Sequence, residues 1–242
     1  MGLYHKLIRA VACMLIQDRK TMDLPEALVS FTFDDTPDSA LLAGRAILKK
    51  YGYSGTYYVS MGLPSDQDSQ KTYFNHALLP EVVREGGEIG CHTYDHIHLY
   101  VTPADELRKS LERNQEAIRK LIPGYTFRNF SYPYGEQSMS TKKVIRSVFK
   151  SARSVKTGLN TNPVDFNNLR VVPLERDMNL NAVLQYIDQA IAQKAWIILY
   201  SHDIQDDCSE WGCTPAVFEE VVRHCSEHKL KGLTMEQAVG KA

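Results

Sequence analysis

Two adjacent acids, Asp34 and Asp35, follow directly on the apolar, β-rich run 27–33. Carboxylates are poor core residues, and burying one without a partner is costly, so the pair indicates a site at the mouth of a strand. Because successive side chains on a strand point to opposite faces, the two acids are suited to different tasks. The alternative is that one of them caps a helix that begins near Asp38.

Two histidines four residues apart, His92 and His96, stand at the end of a second strand pattern, and His98 lies close by in the sequence. Both imidazoles can face one cation from a single helical turn or tight loop, at about 2.0–2.1 Å for a zinc-like metal. An acidic strand end elsewhere would supply the missing ligand. The alternative is a set of surface histidines that hold no metal.

Two further strand patterns end in residues that could take part in chemistry. The segment Pro133–Gly135 follows one of them, and proline fixes the chain so that the amide of Tyr134 could serve as an oxyanion donor. The other ends in His202 and Asp203, again a titratable pair. Taken singly, the first segment is also typical of a turn, and a lone histidine is also typical of a structural residue.

Strand and helix patterns alternate along the chain and place these residues. β-rich runs occur at 27–33, 55–60, 88–92, 127–132, 151–155 and 196–201. Helical periodicity occurs at 38–51, 78–85, 103–121, 141–149, 179–193 and 215–227. This alternation predicts an α/β fold with a parallel sheet, either open or closed into a barrel, whose chemistry lies at the carboxyl ends of the strands.

The composition is that of an ordinary globular chain. With 43% hydrophobic and 24% charged residues, the 242 residues can bury one sizeable core, and we predict a single domain over residues 1–242. A formal net charge of -1 gives no long-range field that would gather nucleic acid or anionic lipid. Any specificity must therefore come from a local site, and we predict no nucleic-acid partner.

The five cysteines form neither a CxxC pair nor a dense framework, which favours a reducing compartment. Cys208 and Cys213 are close enough in sequence to form a disulfide or hold a metal, and the alternative is that both are free thiols.

The N-terminal apolar stretch 7–15 is interrupted by Arg9. It is too short for a transmembrane helix and lacks a clear cleavage site, so it makes a poor signal peptide. Its near-helical spacing favours a helix that packs on the domain or lies on a membrane surface. We therefore predict a cytoplasmic protein with possible peripheral contact to the membrane.

In order and context, these segments resemble the signature motifs of the polysaccharide deacetylase family, the chitooligosaccharide deacetylase-like carbohydrate esterases of family 4. The resemblance covers roughly 27–202 and includes the glycine-rich lead into His92. It implies a distorted (β/α) barrel with fewer than eight strands. It also implies roles for individual residues: Asp34 as general base, His202 as general acid, the amide of Tyr134 as oxyanion donor, Asp35, His92 and His96 as metal ligands, and Pro133 and Tyr200 as substrate-binding residues.

The activity implied by the resemblance is metal-dependent removal of an acyl group, above all N-acetyl, from an amino sugar, oligosaccharide or polysaccharide. One divalent ion, zinc in the first place with cobalt, nickel or manganese as alternatives, would polarise the carbonyl and activate the attacking water. Related alternatives are a deformylase of a lipid-linked amino sugar and a carbohydrate-binding or interaction protein with an impaired site on the same fold. A structural zinc module would want four ligands, of which only three are evident.

The sequence also departs from the family pattern. Ser131 stands where the third motif usually has the arginine that orients the base, and Arg128 is three residues earlier. Thr36 replaces a usual glycine, and Tyr200 replaces a usual leucine at the wall for the acetyl methyl. The usual fourth motif is missing, with Arg170, Arg176 and Asp177 as candidates for a partial replacement.

Overall fold

A parallel barrel forms the centre of the molecule. The computed structural model describes residues 10–63 and 75–242. Its strands are β1 (Arg19–Lys20), β2 (Leu28–Phe33), β3 (Gly55–Val59), β4 (Glu88–Cys91), β5 (Asn129–Ser131), β6 (Ser151–Thr157), β7 (Val164–Asp165), β8 (Leu169–Pro173), β9 (Trp196–Ser201) and β10 (Lys231–Gly232).

The barrel closes through strand β2. Neighbouring strands follow the order β2, β3, β4, β5, β6, β8, β9, and β9 pairs back onto β2 over six consecutive residues, from Leu28 opposite Trp196 to Phe33 opposite Ser201. Strands β4 and β5 meet at one residue pair, and the register of β6 against β8 shifts. Seven strands thus close an irregular barrel in the described part of the chain, which confirms the predicted distorted barrel with fewer than eight strands.

Helices surround the barrel. They are α1 (10–15), α2 (Arg45–Lys50), α3 (Leu79–Arg84), α4 (Ala104–Leu121), α5 (Met139–Val148), α6 (Leu180–Gln193), α7 (Pro215–Glu227) and α8 (Met235–Val239), and a π-helical turn, Ala40–Gly44, leads into α2. Several begin where the sequence offers a cap: the Ser138 hydroxyl accepts from the Thr141 amide at the start of α5, and Thr214 does the same for α7, whose first residue is proline. The major helices agree with the predicted ones.

Strand β8, the two-residue strand β10 and the short antiparallel pair of β1 and β7 lie outside the predicted strand runs. The run of β8 is only five residues long, its Arg170 is exposed and its last residue is proline, so its pattern is typical of a loop. Its partner strands β6 and β9 supply the hydrogen bonds that make it a strand.

Strand side chains alternate between two apolar layers. Phe31 and Phe33 point outward, and their rings contact Phe218 of α7 at centroid distances of 6.1 and 5.7 Å. Leu28 and Trp196 belong to the second layer, inside the barrel, where the indole nitrogen donates to the Ser30 hydroxyl at 2.9 Å. The interior therefore accepts polar side chains when these find partners.

The described part of the N-terminal stretch, residues 10–15, is helical, and residues 7–9 lie outside the described chain. Ala12 is buried, and the Cys13 thiol lies 2.9 Å from the side-chain oxygen of Gln137, so this segment packs on the barrel, whereas Met14 and Leu15 are exposed. Among the described helices, none is long and apolar enough to cross a membrane. Contact with a membrane surface, and the organisation of residues 1–242 as one domain, stay predictions.

Candidate active site

The residues that the sequence singled out meet at the carboxyl ends of the strands. The Asp34 amide donates to the Ser201 carbonyl at 3.0 Å and the His92 amide donates to the Val59 carbonyl at 3.0 Å, so both residues prolong the barrel ladders by one step. His92 and His202 both lie near enough to Asp34 to lower the pKa of its carboxyl when their rings are protonated. Three separate strand ends are thereby gathered at one mouth.

One half of this mouth is a group of three side chains, Asp35, His92 and His96, that could hold a metal ion. Asp35 Oδ1 lies 3.8 Å from His92 Nε2 and 3.4 Å from His96 Nε2, and the two imidazole nitrogens are 3.2 Å apart. His92 Nδ1 lies 2.8 Å from the Ser131 carbonyl, which can only accept, so this nitrogen carries the proton and Nε2 presents its lone pair to the group. Burial, with a smaller effect of His92, lowers the pKa of His96 to about 4, which keeps that imidazole neutral at pH 7.

The backbone is strained where it turns these side chains toward one another. Five of the seven non-glycine residues with positive φ in the described chain lie at this mouth: Asp35, Thr36, Thr93, His96 and Tyr134. Such conformations cost free energy outside glycine and collect at functional sites. The strand ends are thus shaped for side-chain placement rather than for minimal backbone energy.

The other half of the mouth is built around Asp34, which is almost fully buried. Its carboxylate forms a salt bridge with the guanidinium of Arg153 and accepts a hydrogen bond of 3.2 Å from the Ser131 hydroxyl. Burial is the largest single effect and would raise the pKa of Asp34, but the charges of Arg153, His92 and His202 and the hydrogen bond from Arg153 together outweigh it and hold that pKa well below its usual range. Asp34 is therefore ionised at neutral pH.

His202 is half-buried and is held by the loop that follows β9. Its Nδ1 lies 3.2 Å from the carbonyl of Trp211, which again assigns the proton to Nδ1 and leaves Nε2 for the mouth. The adjacent Asp203 turns away and accepts from the amide and hydroxyl of Ser209. Asp203 thus shapes the loop that carries Trp211 and does not pair with His202.

Tyr134 follows the buried Pro133 and has a left-handed backbone, with φ of 56°. Its ring lies between two imidazoles, 4.4 Å from that of His96 and 4.2 Å from that of His98. His98 also contacts Glu136 at 3.0 Å, so it supports the Tyr134 ring and is not one of the three clustered donors.

Residues 21–149, just over half of the chain, match the model of the polysaccharide deacetylase family. The chain belongs to the polysaccharide deacetylase family. Membership confirms the resemblance that the strand-end motifs indicated.

Two curated relatives and one solved structure illustrate the relationship. The chain is 30% identical over 118 residues to the peptidoglycan-N-acetylmuramic acid deacetylase PdaC of Bacillus subtilis, covering 48% of this chain and 23% of the relative. It is 30% identical over 112 residues to the peptidoglycan-N-acetylglucosamine deacetylase of Bacillus cereus, covering 46% and 38%. Both matches thus span well under half of the relative's length.

The structural likeness extends over most of the chain. The Xyl-CE4 domain of a multidomain xylanase from the hindgut metagenome of Trinervitermes trinervoides superposes with a TM-score of 0.61 at 20% identity, covering 89% of this chain and 91% of that one. At this identity the likeness shows the fold alone.

Against the family pattern, the group that contacts Asp34 comes from an unexpected strand. Arg128, the nearest arginine before Ser131, is half-exposed and points to Glu236, 3.7 Å away. Arg153 of β6 reaches Asp34 instead, and the sequence analysis missed it. The available signal was an arginine in the body of the predicted strand 151–155, where a buried charge requires a partner.

Two other departures have local explanations. Thr36 has φ of 47°, which accounts for the glycine usual at this place, and its hydroxyl donates to the Tyr58 carbonyl at 2.9 Å as partial compensation. Tyr200 is almost fully buried, lies 4.9 Å from the Arg153 guanidinium carbon and donates its hydroxyl to Glu175 at 2.8 Å. Tyr200 therefore contacts the half of the mouth that is built around Asp34.

The three candidates for the fourth motif each have contacts of their own. Arg176 donates to the Cys208 carbonyl, the Arg170 side chain extends along Gly158, and Asp177 lines a cleft of about 390 Å³ that also contains Glu175 and Trp211. It is Glu175, through Tyr200, that connects this region to Arg153.

Cys208 and Cys213 are both free and buried, so the disulfide alternative is wrong for this structure. Burial raises the pKa of Cys213 to about 12, which keeps it a thiol at neutral pH. A second group of three donors, Asp188, His224 and His228, lies between α6 and α7 on the outer surface, with His224 already 3.0 Å from Asp188.

Proposed function

We propose that this chain is a metal-dependent hydrolase that removes an acyl group, in the first place N-acetyl, from an amino sugar within an oligosaccharide or polysaccharide. The observation that carries the proposal is the mouth itself: three clustered metal-binding donors lie beside a second, ionised carboxylate that is not one of them. Family membership supports the reaction class, and the names of the two peptidoglycan deacetylases suggest N-acetylated peptidoglycan sugars as first substrates to test.

The donor set fits a divalent ion. Asp35 Oδ1 is buried and has no hydrogen-bond partner, although it faces two imidazole nitrogens within 3.8 Å. A cation would supply the missing partner, and one carboxylate with two neutral imidazoles suits zinc, with cobalt, nickel or manganese as alternatives. When bound, such an ion polarises a carbonyl and lowers the pKa of water, and three protein ligands leave positions open for both.

In the proposed reaction Asp34 accepts the proton of the attacking water. Arg153 keeps its carboxylate ionised and Ser131 fixes one oxygen, so the base is ready without prior deprotonation. The Tyr134 amide stabilises the oxyanion of the tetrahedral intermediate.

His202 acts at the opposite stage. Since its Nδ1 donates to the Trp211 carbonyl, a protonated ring delivers the proton from Nε2 to the leaving amine. Pro133 and Tyr200 are the proposed walls for the acyl group. Because Tyr200 is larger than the leucine usual there, a smaller acyl group such as formyl is the second candidate, on a lipid-linked amino sugar.

The proposal is tested by measuring acetate and formate release from N-acetylated peptidoglycan fragments, chitooligosaccharides, and nucleotide-linked and lipid-linked amino sugars. Metal-loaded protein, chelated protein and His224→Ala protein are compared, the last as a control at the outer donor group. We expect release by the metal-loaded and control proteins and loss on chelation. Tight metal binding without release from any substrate would instead favour the carbohydrate-binding alternative.

A further inference from the structure

The guanidinium of Arg153 lies inside the barrel, where its side chain is completely buried. Strands β5 and β6 pair so that Ser131 stands directly opposite Arg153. Residues directly opposite on paired strands project to the same face. Arg153 therefore brings its guanidinium to the same side of the barrel wall as a side chain at position 131, one strand further along.

We propose that Arg153 is the positioning residue for Asp34, and that Ser131, Arg153 and Tyr200 are a matched set that replaces the third-motif arginine from the neighbouring strand. This rests on the proposed role of Asp34 as base. The two departures from the family pattern at Ser131 and Tyr200 then have one explanation: the arginine that contacts Asp34 is on β6 and not on β5.

Ser131 fits this set because it is small and uncharged. Its hydroxyl accepts from Arg153 Nη2 and donates to Asp34 Oδ2, so it bridges the two charged groups. A second arginine at position 131 would place two buried guanidinium groups against one carboxylate, leaving one charge uncompensated. Positions 131 and 153 can therefore carry one arginine between them, but not two.

Tyr200 fits the set because it provides a surface for the relocated cation. The Arg153 guanidinium carbon lies 5.1 Å from the Tyr58 ring centroid and 4.9 Å from that of Tyr200, so strands β3 and β9 hold it from two sides. The Tyr200 hydroxyl is anchored by Glu175 at 2.8 Å. A leucine at position 200 would offer neither the aromatic face nor the anchor.

The position of the Tyr58 ring depends on Gly90, which lies opposite Tyr58 on the paired strand β4. A Cβ on Gly90 would lie 2.3 Å from the ring, so only glycine leaves room for it there. Gly90 thus permits the second face of the clamp around Arg153.

A buried ion pair can also be purely structural, and the test must separate the two roles. The variants are Arg153→Met, Ser131→Arg and the double variant S131R/R153M, with Arg128→Met as the control, because Arg128 is an exposed arginine that pairs with Glu236. Each is measured for kcat, KM and zinc affinity.

We expect Arg153→Met to lower kcat by about a hundredfold, the size of effect that follows from misplacing a reacting group, with KM and zinc affinity within about threefold of wild type. Ser131→Arg alone should also be impaired. The double variant should recover at least about tenfold over Arg153→Met, because the guanidinium returns from β5. Arg128→Met should behave as wild type.

Unchanged kcat in Arg153→Met would overturn the inference, as would parallel loss of folding and zinc binding in Arg153→Met with no recovery in the double variant. If Arg153→Met does not fold, the double variant decides: a folded, active double variant supports exchange between the strands, and an unfolded one refutes it. An inactive wild type would refute the proposed function itself, whereas an active wild type with an equally active Arg153→Met refutes only the role of Arg153.

Discussion

The two halves of the mouth relate differently to the family pattern. One half, which we call the metal-binding half after its proposed role, has Asp35, His92 and His96 at the places where the pattern has its ligands. The other half, which we call the base half after the proposed role of Asp34, keeps Asp34, but its guanidinium comes from Arg153 of β6 instead of from position 131. The sequence pattern therefore identifies the three donors of the metal-binding half directly, whereas the arginine that pairs with Asp34 is identified only from the pairing of β5 with β6.

The difference has a geometric cause. Asp35 and His96 are presented by backbone with positive φ, and His92 is fixed by a hydrogen bond to the Ser131 carbonyl, so each donor depends on a specific local arrangement of the backbone. An arginine side chain is long, so its guanidinium can reach the same carboxylate from more than one backbone position. When two strands are paired, an arginine on either strand can therefore supply the guanidinium, provided that the surrounding side chains change with its position.

The largest expected effect is on the metal half. Replacing His92 by Ala removes one of the proposed metal ligands. A bound metal ion stabilises the transition state by several kcal/mol, so its loss corresponds to a decrease of about a thousandfold or more in kcat/KM. Zinc affinity should fall together with activity, measured by competition with a chromophoric chelator. His224→Ala at the outer donor group is the matched control, and equal loss in both variants would argue against the buried site.

Removing the metal should lower the Tm of every variant that keeps the proposed metal ligands. A ligand at one hundred times its Kd stabilises a protein by about 2.7 kcal/mol, which for a chain of this size raises Tm by roughly 5–10 °C. We expect this zinc-dependent rise in Tm in wild type and in Arg153→Lys, but not in His92→Ala. A rise that survives in His92→Ala would show that the stabilising ion binds elsewhere.

An intermediate effect is expected at Tyr200. Its replacement by Leu restores the family's usual residue but removes one face of the clamp, and we expect kcat to fall by about tenfold, because such aromatic contacts are worth about 1–2 kcal/mol when buried. In the S131R/R153M background the same change should cost little. A double-mutant cycle of the two changes measures this coupling, and strictly additive effects would contradict a matched set.

The smallest effect is expected at Thr36. Thr36→Ala keeps the positive φ but loses the hydrogen bond to the Tyr58 carbonyl, so it should destabilise the fold by about 1 kcal/mol. Thr36→Gly loses the same bond but relieves the strain of the left-handed backbone, about 1 kcal/mol, so its free energy of unfolding should be higher than that of Thr36→Ala and close to that of wild type. Denaturant unfolding of the two variants separates them, and Ala more stable than Gly would show that the strain is absent.

Much of the site could be predicted from the sequence because its ionisable residues directly follow the runs that form strands. Asp34, His92 and His202 each follow an apolar run, and parallel strands bring such ends together. Strand β8 could not be predicted, because its short run with an exposed Arg170 becomes a strand only between β6 and β9. Arg153 could not be assigned either, since its partner depends on the register of β6 against β5.

The most direct test of the central claim compares wild type with Asp34→Asn for acyl release and metal content in the same preparations. The account predicts that the variant binds zinc with wild-type stoichiometry and affinity, because Asp34 is not one of the three donors, while kcat falls by about 10²–10⁴-fold. A variant that keeps its activity, or one that loses activity only because it has lost its metal, would contradict the separation of the site into a metal-binding half and a base half.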